Sequence, residues 1–201
     1  CSGQAYKDSD FCVGNEAVFE FLETVLSEVM DVFPSKYIHI GGDEAGKQHW
    51  KTCPECQQRM AQEGLKDVDE LQSYMIRRIE KFVNSKGRYI IGWDEILEGG
   101  LAPEATVMSW RGTEGGIKAM EQGHDVIMTP GRYCYLDHAQ DAPFKEPESI
   151  GGYLPLDSVY VYEPVEAIMP KDKIHHLLGV QANLWSEYVV TDSHAEYMYW
   201  P

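Results

Sequence analysis

Five short apolar runs constrain this chain more than any other feature of its sequence. They cover residues 37–40, 88–93, 106–110, 125–129 and 179–185. Each is about the length of a buried strand and too short for a buried helix. Between them lie stretches with a helical period. Val18, Phe21, Leu22, Val25 and Val29 recur at three- and four-residue steps, after Asn15 as a cap and before Pro34 as a stop. Leu71, Met75, Ile79, Phe82 and Val83 do the same between Asp67, with Glu70 in capping-box spacing, and Gly87. A third helix is expected near residues 115–122, and residues 130–170, rich in Pro, Gly and Tyr, read as one large loop.

Strands joined through helices pair in parallel, because the crossover helix returns the chain to the same end of the sheet. Strands apolar on both faces fit a sheet that helices cover. A doubly wound sheet and an incomplete barrel both satisfy this pattern.

In either fold, ligands gather at the carboxyl ends of the strands. The residues expected there are alike in kind: Asp43 and Glu44 after the first run, Trp93, Asp94 and Glu95 after the second, Trp110 and Arg111 after the third. Tyr133, Tyr135 and Asp137 follow the fourth, and Trp185 and Glu187 the fifth. Flat aromatic faces beside carboxylates suit a sugar, whose ring has apolar faces and whose hydroxyls need acceptors. Gly41-Gly42 before Asp43 allows a sharp turn or a close approach of backbone to ligand.

Composition narrows the choice. The formal charge of −16 repels phosphate backbones and anionic membranes, so a nucleic-acid or membrane-surface role is not expected. No apolar run reaches the roughly 20 residues of a membrane span. Five cysteines include one C-x-x-C, Cys53-Pro54-Glu55-Cys56, with no second pair at zinc-site spacing. No metal site and no cofactor are therefore expected, and Cys53 and Cys56 read as a local disulfide or surface thiols. His39 reads as a core histidine within its strand. The chain opens on Cys1-Ser2-Gly3 without an initiating Met, which suggests a piece of a longer protein.

His39-Ile40-Gly41-Gly42-Asp43-Glu44 resembles the signature of family-20 glycoside hydrolases, the β-N-acetylhexosaminidases. Gly92-Trp93-Asp94-Glu95, Ser109-Trp110-Arg111-Gly112, Tyr135-Leu136-Asp137 and Leu184-Trp185-Ser186-Glu187 resemble the family's later strand-end motifs, in order. The resemblance implies a (β/α)8 TIM barrel, with residues 1–201 forming a partial catalytic domain that covers about strands 4 to 8. An incomplete barrel leaves an open sheet edge, from which self-association is expected.

The resemblance also implies a mechanism and roles. The substrate's own 2-acetamido oxygen attacks the anomeric carbon, giving an oxazolinium-like intermediate. Glu44 acts as general acid and then base. Asp43 orients the acetamido N–H and stabilises the developing charge, and Tyr135 hydrogen-bonds the acetamido oxygen. Trp93, Trp110 and Trp185 wall the sugar, and Asp137 and Glu187 bind its distal hydroxyls. The substrate is then a glycan ending in N-acetylglucosamine or N-acetylgalactosamine, met outside the cytoplasm. Three rivals are weighed on the residues alone: a retaining glycosidase with its own carboxylate nucleophile, a non-catalytic sugar-binding module, and a metal-dependent hydrolase, for which His175-His176 is the one histidine pair and reads as loop.

Overall fold

The computed structural model describes residues 10–142 and 144–200. They divide into two compact units, Cys1–Val107 and Met108–Pro201.

In the first unit, α1 (Glu16–Val32) starts where Asn15 Oδ1 accepts the Ala17 N–H at 3.0 Å. It ends at Phe33, whose N–H reaches Val29 O before Pro34 halts the helix. The expected apolar stripe is not the buried face. Phe19 and Met30 are buried, whereas Phe21 and Val25 are exposed. The helix is rolled so that Phe19 meets the edge of Tyr74 and the Arg78 guanidinium, 3.8 Å from the ring centroid. Leu22, Val25, Leu26 and Val29 instead line an apolar groove of about 490 Å³ beside β1 (Tyr37–His39), with Met75 and Ile79 opposite.

A helix that the sequence reading missed follows. α2 (Pro54–Glu63) has Pro at its first turn and ends at Gly64 with φ +67°. Among its ten residues only Cys56 and Met60 are buried, so the apolar period that marks a helix is faint. Cys56 is fully buried and the four described cysteines form no disulfide, which corrects the expected bridge or pair of surface thiols. α3 (Val68–Ser85) begins at the expected Asp67, whose Oδ1 accepts the N–H groups of Asp69 and Glu70. Glu70 returns its carboxylate to the Lys66 N–H rather than to the cap residue. Then β2 (Tyr89–Trp93) pairs in parallel with β1, Ile38 opposite Ile90. A single turn of 3-10 helix, Asp94–Leu97, carries the chain off the strand end. Ile90, Ile96, Leu71 and Val83 are fully buried around it.

β3 (Thr106–Ser109) lies where the units divide. In the second unit, α4 (Glu114–Glu121) packs on β4 (Val126–Met128) so closely that a Cβ on Gly116 would meet Met128 Sδ at 2.7 Å. The expected loop at residues 130–170 contains two short helices, α5 (Gly131–Cys134) and α6 (Leu156–Tyr160), and a bridge between Ala139 and Tyr153. β5 (Leu177–Val180) pairs in parallel with β4. It stops well short of the expected residue 185. α7 (Asp192–Tyr199) is capped by Thr191, whose Oγ1 accepts the His194 N–H. No described helix is long and apolar enough to cross a membrane.

Candidate active site

The first unit carries the paired acids. Beyond β1 the pairing continues, with Ile40 N–H on Ile91 O and Trp93 N–H on Gly41 O, each at 2.9 Å. The chain then turns through Gly41 (φ +73°) and Gly42 (φ +96°). A Cβ at Gly42 would lie 2.7 Å from Ile96 Cγ2, so glycine is required there on two counts. Asp43 and Glu44 follow, both exposed. Glu44 has φ +48°, left-handed backbone that a non-glycine residue enters at a cost.

The segment after Glu44 is tied down from three sides. Both Asp10 oxygens accept backbone N–H groups, from Gly46 at 3.3 Å and Lys47 at 2.7 Å. The largely buried Lys47 ammonium bridges Asp69 at 2.8 Å and Glu98 at 2.5 Å. Burial pulls its pKa down, but the two carboxylates more than offset that and hold it above the ordinary lysine value. Trp50 is buried and its indole N–H donates to Phe11 O at 2.9 Å. Asp10 and Lys47 escaped the sequence reading, since nothing in their spacing pairs them with the loop.

Trp93 is where the sequence put it, at the carboxyl end of β2, but it is 92% buried. Its ring packs on His39 with centroids 4.7 Å apart. His39 is exposed, not the core residue expected. Its Nδ1 accepts the Gly41 N–H at 3.1 Å, which places the proton of the neutral ring on Nε2. Packing against Trp93 strips part of the hydration from this otherwise open ring and lowers its pKa, and the nearby Asp43 charge partly restores it.

The second unit gathers the aromatic residues. Trp110 and Tyr135 are stacked, with centroids 6.1 Å apart and rings 22° from parallel, and Trp185 is tilted against Tyr135 at 6.3 Å. Trp110 follows β3, where the fully buried Ser109 shapes the turn. Its Oγ donates to Gly112 O at 2.7 Å and accepts the Gly116 N–H at 2.9 Å. Tyr135 ends α5, and Trp185 sits in irregular chain five residues beyond β5. The placement of Trp185 and Glu187 at the end of the fifth strand is thus corrected.

What holds these residues is Asn183, which the sequence reading passed over as a strand residue. Leu136 N–H bonds Asn183 O and Asn183 N–H bonds Cys134 O, each at 2.7 Å, so the backbone at Asn183 grips that at Tyr135. The buried Asn183 amide donates to Thr129 Oγ1 at 3.0 Å and accepts from Gln181 at 2.9 Å. Asp137 lies beside this cluster, 4% exposed, and neither carboxyl oxygen has a hydrogen-bond partner. Burial raises its pKa. Its own backbone N–H, His138 and the Trp185 backbone N–H lie near enough to pull it back, and Glu187 pushes it further up. A buried carboxyl whose neighbouring donors fall short of hydrogen-bond geometry is a poised acceptor.

The structure therefore groups Asp43, Glu44, Trp93 and His39 in one unit, and Trp110, Tyr135, Asp137, Trp185 and Glu187 in the other. Parallel strands joined through helices, with acids beyond β1 in one unit and stacked aromatic rings beyond β3 in the other, define an α/β domain of the kind that carries ligand sites past its strand ends. The chain belongs to glycosyl hydrolase family 20, whose catalytic-domain model matches residues 2–201. It is similar to a β-hexosaminidase of Porphyromonas gingivalis, 54% identical over 192 residues that make up 95% of this chain and 25% of that protein. A β-hexosaminidase of Vibrio furnissii is 38% identical over 201 residues, 98% of this chain and 33% of the relative. Among solved structures, the exo-β-N-acetylglucosaminidase of Vibrio harveyi in complex with N-acetylglucosamine matches with a TM-score of 0.87 and 33% identity. That match covers 100% of this chain and 32% of the other. The chain spans a quarter to a third of the length of these relatives.

Proposed function

We propose that this chain supplies the acid, the acetamido-orienting groups and most of the aromatic wall of a β-N-acetylhexosaminidase. The enzyme would release terminal β-linked N-acetylglucosamine or N-acetylgalactosamine with retention of configuration, acting outside the cytoplasm. One observation carries the reading: all five motifs stand in order within a chain that the family model matches from residue 2 to 201.

In this reading Glu44 protonates the departing glycosidic oxygen and later takes a proton from water. Its exposed position at a strained turn keeps it within reach of a ligand rather than of its own unit. Asp43 accepts the acetamido N–H, and its charge strengthens the interaction as positive charge develops at the anomeric carbon. Tyr135, packed near both Trp110 and Trp185, donates to the acetamido oxygen and keeps it in line for attack. A nucleophile already tethered to the sugar removes most of the entropic cost of the encounter. Asp137, buried and without a donor, accepts sugar hydroxyls with Glu187. We further propose that the five strands correspond to strands 4 to 8 of a TIM barrel. The exposed apolar face of α1 and the groove beside β1 support this, as the edge where further barrel units pack.

The test is Glu44→Gln in the full-length protein, assayed on aryl N-acetylglucosaminides of graded leaving-group ability. General acid catalysis contributes roughly 10²–10⁴-fold, so poor leaving groups lose that much and good ones far less. A thiazoline analogue of the intermediate is expected to inhibit tightly. Equal loss for all leaving groups, or a sugar trapped covalently on the enzyme, would overturn the reading.

A further inference from the structure

Folding brings Cys12 to the C-x-x-C pair at the start of α2. Cys12 Sγ lies 3.6 Å from Cys53 Sγ and 3.7 Å from Cys56 Sγ, and all three sulfurs lie within 4.8 Å of one another. A disulfide would require about 2.05 Å. Zinc–sulfur bonds of about 2.3 Å in a tetrahedron place sulfurs about 3.8 Å apart. The observed spacing therefore suits sulfurs that share a metal ion.

The surroundings are built as thiolate sites are built. Cys53 is the N-cap of α2 and Cys56 its third residue, so both sulfurs sit at the positive end of the helix. Gly14 is pressed onto the helix start: a Cβ there would lie 2.1 Å from the Glu55 carbonyl carbon. No larger residue lets the Cys12 segment reach Cys56.

We infer that Cys12, Cys53 and Cys56 form a structural zinc site. Three thiolates bind the ion, with the fourth position completed by water or by the exposed Glu55 carboxylate, whose Oε2 already lies 3.3 Å from Cys12 Sγ. Binding releases the three thiol protons to solvent. A search of the sequence for a second cysteine pair finds none, because the third ligand lies 41 residues upstream of Cys53. The site has a purpose in this fold. The strand of chain that carries Cys12 also carries Asp10 and Phe11, which bond Gly46, Lys47 and Trp50 just after Glu44. The ion would staple that segment to α2 and so brace the loop with the paired acids.

The experiment reads metal, not glycosidase turnover, so it stands apart from the proposed function. The full-length protein is purified under reducing conditions without chelator, and its zinc is measured by mass spectrometry. One zinc per chain is expected, retained in Cys134→Ser and lost in Cys12→Ser. After exchange, cobalt(II) should show the absorption of a tetrahedral thiolate complex in the native protein and in Cys134→Ser only. Gly14→Ala, which keeps all three sulfurs, should weaken zinc binding by about 10–100-fold, as changes to ligand-orienting groups do. Removing the ion should speed hydrogen exchange in residues 44–50. Protein that takes up neither zinc nor cobalt while its thiols are reduced would overturn the site. So would zinc retained in full by Cys12→Ser.

Discussion

Replacing Gly92 with Ala tests whether the β2 end positions the acid loop. Gly92 has ordinary backbone angles, so the substitution acts through volume alone. The new methyl would meet Ile96 Cγ2 at 2.7 Å, Ile96 Cδ1 at 2.9 Å and Gly41 O at 3.2 Å. Ile96 is fully buried, and its Cγ2 is the same methyl that approaches the Cβ position of Gly42 at 2.7 Å. It cannot retreat without driving into the turn that leads to Asp43. Overpacking of this kind costs about 1–3 kcal/mol. Because Gly41 accepts the Trp93 N–H, part of the displacement passes to the loop. A shift near 1 Å at a catalytic group costs on the order of 10²-fold. Urea unfolding and steady-state kinetics of the full-length protein give the two numbers, and kcat should fall more than KM rises. A double-mutant cycle adds the decisive arm. Ile96→Ala alone costs about 2–5 kcal/mol for the cavity, but in the Gly92→Ala background it removes the clash, so the double variant should be more stable than the sum predicts. Strict additivity, or a Gly92→Ala protein with unchanged stability and kcat, would refute the argument.

Asp137→Asn should stabilise the protein at neutral pH by about 1 kcal/mol, roughly 2–4 °C in Tm, because a buried carboxylate without a donor is removed. The sign follows from its raised pKa: the cost of the ionised group is present above the folded pKa and is lost as pH falls through it toward the unfolded value. The gain in Tm should therefore shrink in acid, and a constant gain would count against it. Trp185→Ala should weaken N-acetylglucosamine binding in calorimetry, since Trp185 is 40% exposed and flanks Tyr135, whereas unchanged affinity would make it a packing residue. Asn183→Ala should cost about 1–3 kcal/mol in thermal unfolding, as Thr129 and Gln181 lose their partner, and should lower kcat through Tyr135. An unfolding curve identical to wild type would show that the network carries no weight.

The sequence by itself determined most of the strands, the caps of two helices and the turn that carries Asp43 and Glu44. Asn15 and Asp67 cap the helices they were expected to cap, because a side-chain oxygen answers the first free N–H groups whatever lies beyond. Four of the five apolar runs became strands within a residue or two of their expected ends. Gly41-Gly42-Asp43-Glu44 marked the turn, since a local motif carries its own backbone demands. Tertiary structure decided the rest. Periodicity finds the apolar side of α1 but not which part of it is covered, and packing against Tyr74 and Arg78 chose Phe19 over Phe21 and Val25. β5 ended at Val180 rather than Trp185, because Asn183 bonds across to Cys134 and Leu136 instead of continuing the ladder with β4. His39 points out of the core because successive strand side chains alternate faces and Ile38 takes the buried one. The meeting of Cys12 with Cys53 and Cys56, and of Asp10 with Lys47, depends on contacts between residues 36 or more positions apart. Local chemistry writes turns and caps into the sequence, whereas long-range pairings exist only once the chain has closed on itself.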